Sequence, residues 1–200
     1  MRLLLETLRI DQAGVRDLER HTRRLNQARR ILFGAKNDLD LSAFVSAPRM
    51  TDNGPVKCRV ICGLTVERVE YQPYRKPSIR SLRLVRADDL DYRYKYADRA
   101  ALDRLRAGRG AADDILIVQS GFITDVSFAN VVFFDGRRYV TPHRPLLEGT
   151  RRRELLERGA IEEDEIRVED VERYARVFLI NSLLGLEDDV SLPVSGILFA

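Results

Sequence analysis

"DDILIVQSGFITDVSFANVVFFDGRRYVTP", residues 113–142, is the stretch whose reading decides the fold. Ile115, Leu116, Ile117 and Val118 form a continuous apolar run, the pattern of a strand buried on both faces. Ser120-Gly121 and Asp135-Gly136 are turn signals that separate this run from two further strand-like runs. Consecutive strands joined by short turns predict a mostly antiparallel, β-rich region.

The surroundings fit that core. Upstream, "ADRAALDRLRAGRG" (97–110) is amphipathic and ends in glycines, which predicts a helix and its stop. Downstream, "LLEGTRRRELLERG" (146–159) reads as a turn entering a helix, and "RVFLINSLLG" (176–185) as a last buried strand and turn. Nearer the N-terminus, residues 3–10 read as a strand. Leu18, His21, Leu25 and Ala28 then recur at helical spacing, with Gly34 where the helix can end. "DLSAFVSA" (40–47) is either a second helix or a loop, and "GPVKCRVICGLTVERVEYQPY" (54–74) is strand, turn, strand. Pro73 and Pro77 bracket a linker. The fold class is α+β: a small α/β domain over 1–76 and a larger β-rich domain over 77–200.

Composition narrows the function classes. Net charge is +3, but the 31 acidic residues are interleaved with the 34 basic ones, so no basic tail or stripe points to nucleic acid. No apolar run approaches the ~20 residues of a membrane helix, and the N-terminal "MRLLLETLRI" lacks a signal-peptide cleavage pattern, so a cytoplasmic location is expected. Cys58 and Cys62 fall on one face of a strand and read as core. With two histidines and no CxxC, no metal site is expected.

Five features carry chemistry. Only four of the 34 basic residues are lysines, and one of them, Lys95, stands among tyrosines and arginines in "DYRYKYADR" (91–99). Asp125 interrupts an otherwise buried strand pattern, where a carboxylate is costly unless partnered; it either caps backbone or meets a cation. Asn130 is a second polar residue in the same run. In "LLEGTRRRELL", Gly149 permits close backbone approach and Thr150 reads as the N-cap of a helix, whose end is either an ordinary cap or an anion site. In "HTRRL" (21–25), Arg24 is a solvated helix residue or a bidentate phosphate ligand, and Asn181 and Ser182 close an apolar strand, where they serve loop backbone or a ligand. A lysine, a buried carboxylate and phosphate donors are what pyridoxal phosphate requires.

At this point the sequence resembles the class IV aminotransferases, the fold type IV pyridoxal-phosphate enzymes that include branched-chain and D-amino-acid aminotransferases and 4-amino-4-deoxychorismate lyases. The motifs "LETLR", "HTRRL", "KYADR", "GFITDVSFANVVFFDGRRYVTP", "LLEGTRR" and "INSLLGL" follow the family's order from Leu5 to about Leu186. The resemblance implies that Lys95 holds the cofactor covalently and moves the substrate proton. It also implies that Asp125 faces the pyridine nitrogen, and that Arg24, Gly149, Thr150 and Ser182 bind phosphate. It further implies a barrel-like second domain carrying the lysine, an amino-acid-like or aminodeoxychorismate-like substrate, and a homodimer. Three departures stand out. Asp125 occupies a position that is usually glutamate. The chain begins almost at "LETLR", so a strand pair that usually precedes it is expected to be trimmed away. The tyrosine that branched-chain enzymes place after the lysine segment is absent, with Arg99 in that region; Arg99 and Thr7 both lean toward the lyases. Candidate substrate residues are Thr7, Arg9, Arg99, His143 and Arg144, and loops 45–54 and 141–147 are expected to shape the pocket. The alternative is a non-catalytic homologue that binds a phosphorylated ligand.

Overall fold

The computed structural model describes residues 2–46 and 54–199. The chain divides into two compact units, Met1–Arg75 with Tyr94–Asp98, and Lys76–Arg93 with Arg99–Ala200. Apart from Lys76, which goes with the second unit, this differs from a division at 76/77 in that the residues around Lys95 go with the first unit. The reason is backbone pairing. Leu5 N–H donates to Lys95 O at 2.8 Å and Ala97 N–H to Leu3 O at 2.8 Å, so the Lys95 segment adds to an edge of the first strand.

The first unit is a four-stranded sheet in the order β2-β1-β3-β4 with one helix. Its elements are β1 (Leu4–Asp11), β2 (Gly14–Val15), α1 (Leu18–Phe33), β3 (Val56–Cys62) and β4 (Val66–Pro73). Every pairing among these strands is antiparallel. Strand alternation places Leu4, Glu6, Leu8 and Ile10 on one face of β1, and all four are buried. From α1, His21, Leu25 and Ala28 are buried, in keeping with the helical spacing, and Gly34 ends the helix in the left-handed region (φ 63°). The 40–46 stretch forms one 3-10 turn, Leu41–Ala43, whose entry Asp40 caps through Ser42 N at 2.9 Å. Of the expected pocket loop 45–54, residues 47–53 lie outside the described residues. Cys58 and Cys62 are free thiols buried in β3.

The second unit holds a nine-stranded sheet. Its strands are β5 (Leu82–Arg86), β6 (Asp114–Gln119), β7 (Phe122–Val126), β8 (Asn130–Phe134), β9 (Tyr139–Pro142), β10 (Glu162–Asp164), β11 (Arg176–Ile180), β12 (Ser191–Pro193) and β13 (Ile197–Leu198). Two helices, α2 (Ala100–Ala107) and α3 (Thr150–Glu157), join them. The 115–118 run lies at the centre of β6 with no exposed surface. β6, β7, β8 and β9 pair antiparallel in succession, as the turn signals predict. β5–β6, β13–β5 and β9–β10 are parallel. β11 is not the last strand: β12 pairs back onto it, and β13 adds to β5. Both are too short, at three and two residues, to give a periodic signal.

Candidate active site

The first unit gathers four of the polar residues around β1. Glu6 sits on the face that α1 covers and is 2% exposed. Its carboxylate accepts from Arg24 Nε at 2.9 Å and Arg24 Nη2 at 2.6 Å, a bidentate pair. It is also 2.6 Å from His21 Nδ1. Burial opposes ionisation of Glu6, but the Arg24 charge and the His21 hydrogen bond overcome it and hold the carboxyl down to about 2. His21 moves below its ordinary value, because burial outweighs its contact with Glu6 and the Arg24 and Lys95 charges push the same way. A neutral His21 beside an ionised Glu6 carries its proton on Nδ1 and donates it. Lys95 is half-buried on the β1 edge, within the electrostatic reach of His21. Next to it, Tyr96 is buried, bridges to Leu4, and lies under the Arg2 guanidinium at 5.3 Å.

Thr7 and Arg9 lie on the face of β1 opposite Glu6. Arg9 Nε pairs with Asp11 at 3.1 Å.

The second unit builds its site on Asp125. Asp125 and Asn130 are cross-strand partners of β7 and β8. Asp125 is 4% exposed. Oδ1 accepts from Asn130 Nδ2 at 2.8 Å and Oδ2 from Leu147 N at 3.0 Å. Burial pushes the Asp125 carboxyl up to about 7; these two donors and the Arg152 charge oppose it, and Glu148 adds to it. Asn130 Nδ2 also donates to Leu147 O at 2.8 Å. A Cβ on Gly149 would stand 1.9 Å from Asn130 Oδ1, so only glycine fits there.

Gly149, not Thr150, is the N-cap of α3; Thr150 is the first helical residue and is buried. The cap lies one residue before the expected one: Gly149 has the extended backbone of an N-cap (φ −71°, ψ 140°), and the helix runs from Thr150. As N-cap, Gly149 brings no side chain to this end, and a helix N-terminus is where peptide N–H groups can meet an anion. Ser182 lies in the Asn181–Leu184 turn, where Asn181 Oδ1 accepts from Leu183 N at 2.8 Å and Leu184 N at 3.1 Å. Asn181 therefore serves loop backbone, and Ser182 Oγ has no protein partner among the described residues.

The 126–129 hairpin turn that sets the Asp125–Asn130 pair is tied down on three sides. Arg99 Nη2 donates to Ser127 O at 2.7 Å, Ser127 Oγ to Asp114 Oδ2 at 3.0 Å, and Asn181 Nδ2 to Phe128 O at 3.2 Å. Arg99 also reaches the Tyr92 hydroxyl at 3.3 Å. His143 and Arg144 are exposed and pair with Glu163 (3.2 Å) and Glu165 (3.5 Å). They line a shallow depression with Phe122 and Ile166, and Asp125 is not among its lining residues.

Glu6 is the site residue that sequence reasoning passes over. The available signal is a carboxylate in register with Leu4, Leu8 and Ile10 on a strand whose facing helix supplies His21 and Arg24.

Residues 58–187 match the class IV amino-transferase family. The chain belongs to that family. An uncharacterized protein of Haemophilus influenzae is 33% identical over 185 residues, 92% of this chain and 98% of the relative. This class IV chain is also similar to a crystal structure from Haemophilus somnus, provisionally assigned as a 4-amino-4-deoxychorismate lyase. The two share 30% identity and a TM-score of 0.86 over 92% of this chain and 98% of that one. A structure from Mesorhizobium loti, provisionally assigned as an amino-acid aminotransferase, is 25% identical with a TM-score of 0.81 over the whole of both chains. The family is pyridoxal-phosphate-dependent, and the two units match the fold type IV architecture.

Proposed function

We propose that the protein is a pyridoxal-phosphate-dependent enzyme acting on an amino-acid-like substrate, with 4-amino-4-deoxychorismate lyase chemistry as the leading reaction. The observation that carries this is Asp125: a buried carboxylate, fixed at both oxygens, in the same network as the turn that leads into the glycine N-cap of α3. A pyridine ring nitrogen and a phosphate are the two ends of one cofactor, and this network offers a partner to each. The donor set fits the group, and Gly149 leaves the turn without a side chain where a Cβ would collide.

When bound, pyridoxal phosphate supplies an electron sink for the substrate carbon that loses its proton. The protein's part is distributed over named atoms. Asp125, whose oxygens Asn130 and Leu147 orient, would hold a proton at the ring nitrogen. The α3 peptide N–H groups, Thr150 and Ser182 would receive the phosphate; Arg24, the first unit's candidate, already holds Glu6 through Nε and Nη2. Lys95 Nζ would hold the cofactor and would serve as the base; an arginine cannot lose the proton this requires. Thr7, Arg9, Arg99, His143 and Arg144 are the substrate-side candidates. Of these, Arg99 has a positioning role through Ser127, and Arg9, His143 and Arg144 already engage carboxylates. The Haemophilus somnus likeness supports elimination over amino transfer.

The test is spectroscopic. Protein mixed with pyridoxal phosphate should develop a band at about 410–430 nm, and borohydride should then fix the cofactor on Lys95. Absence of the band, or its survival in Lys95→Ala, refutes the reading. Pyruvate release from aminodeoxychorismate without amino transfer to 2-oxo acids assigns the lyase reaction. We also propose a homodimer in the cytoplasm; a monomer in sizing at micromolar concentration would refute the dimer.

A further inference from the structure

We propose that Asn130 is a positioning residue that fixes the orientation of Asp125 and locks it to the 147–149 turn, so that the carboxylate and the N-terminal end of α3 move as one body. The inference rests on the functional reading above for what Asp125 and α3 would bind, but the device itself stands on geometry in the second unit.

Three hydrogen bonds close a ring. Asn130 Nδ2 donates one proton to Asp125 Oδ1 and the other to Leu147 O, each at 2.8 Å. Leu147 N–H returns to Asp125 Oδ2 at 3.0 Å. Both carboxylate oxygens are thereby held by groups that are held to each other, and rotating the Asp125 carboxylate breaks two bonds together. The amide oxygen completes the lock. It fills the space where a Cβ of Gly149 would lie, 1.9 Å away, so the residue that starts α3 is seated on the same side chain. The two strands cannot easily slide to relieve it, because their connecting turn is anchored by Arg99, Asp114 and Asn181.

The groups that hold the Asp125 oxygens set where they point. Arg152 and Glu148 are the charged groups that also act on Asp125, but they do so through field alone. Arg152 spends its hydrogen bonds on Glu148, Pro142 O and Glu163. Asn130 is the side chain that sets direction.

The experiment uses the cofactor-free full chain. Carboxyl NMR of aspartate-labelled protein follows the Asp125 titration in wild type, Asn130→Ala and Asn130→Ser. Loss of the donor should move the Asp125 midpoint upward in Asn130→Ala and less in Asn130→Ser, which retains a smaller donor. In parallel, Gly149→Ala is introduced into wild type and into Asn130→Ala, and the urea midpoints are compared. Gly149→Ala should be strongly destabilising in wild type and milder once Asn130 is truncated, a coupling of about tenfold in the folding equilibrium constant. Additive effects, together with an unmoved Asp125 midpoint, overturn the proposal. Should Asn130→Ala fail to fold, Asn130→Ser carries both measurements. Pyridoxal phosphate titration of wild type separates the two claims. A wild type that binds none defeats the functional reading, while the titration and the cycle still decide the role of Asn130.

Discussion

Glu6→Gln is the most informative single change in the first unit. It keeps the shape of the side chain and removes the charge that Arg24 and His21 face. The wild-type carboxyl is held at about 2 against an ordinary 4.5. At ~1.4 kcal/mol per unit, that shift corresponds to roughly 3 kcal/mol of stability. The sign follows from the direction of the shift. A depressed carboxyl contributes fully above about 4.5, and its contribution falls away as pH drops toward about 2. The glutamine variant has no such proton to bind. Its Arg24 side chain, only 17% exposed, loses the carboxylate that balances it, a change of the kind that costs about 3–5 kcal/mol for a buried pair. Urea denaturation at pH 7 and at steps down to pH 2.5 therefore predicts a gap between wild type and variant of about 3 kcal/mol at pH 7 that narrows steadily below pH 4.5. The comparison is made on the β1–β3 amides by hydrogen exchange, since two compact units need not unfold together. A gap below about 1 kcal/mol at pH 7, the scale of an exposed ion pair, would refute the reasoning. So would a gap that does not change with pH.

Asp125 predicts the opposite slope. Its folded value of about 7 stands above an ordinary 3.8. Stability should therefore fall by roughly 4 kcal/mol as pH rises from about 4 to 7 and level off above that; Asp125→Asn should flatten the slope, and a slope that survives the substitution excludes Asp125 as its source. Arg99→Ala removes the donor to Ser127 O and should cost about 1–2 kcal/mol in urea denaturation while raising the exchange rate of the 126–129 amides; unchanged exchange there would show that the turn does not depend on Arg99. Burial raises both thiols, Cys58 to about 11, so iodoacetamide at pH 8 should label native protein far more slowly than urea-unfolded protein, and rapid native labelling would contradict the β3 packing.

Much of the fold is legible in the sequence because its strongest signals are local. A four-residue apolar run between turn pairs admits few readings, and the α1 spacing ends at a glycine that does adopt a left-handed conformation. What escapes is decided by tertiary pairing. β12 and β13 are strands only because β11 and β5 offer edges to them. Lys95 lies with the first unit because the peptide groups of Leu3 and Leu5 capture its segment, and no property of the "DYRYKYADR" side chains announces that. The Thr150 expectation fails for a different reason. Threonine and glycine are comparable N-caps, so residue type does not choose between 149 and 150; the backbone does, extended at Gly149 and helical from Thr150.

Two of the three buried carboxylates among the described residues, Glu6 and Asp125, show how far residue identity alone can carry a site. Both interrupt apolar strands, and both are almost wholly removed from water. Glu6 meets a guanidinium that lies against it and an imidazole, and stays ionised at any working pH. Asp125 meets an amide and a peptide N–H, which donate hydrogen bonds but carry no net charge, so burial prevails and its proton is held near neutrality. An anion balanced within its own fold is finished as a structural element. A carboxylate held near neutrality and oriented at both oxygens still has a charge to gain when a cation arrives. That difference, set by partners from α1 in one case and from β8 and the 147–149 turn in the other, makes Asp125 the residue around which cofactor binding is argued and Glu6 the residue that holds Arg24 and His21 in place.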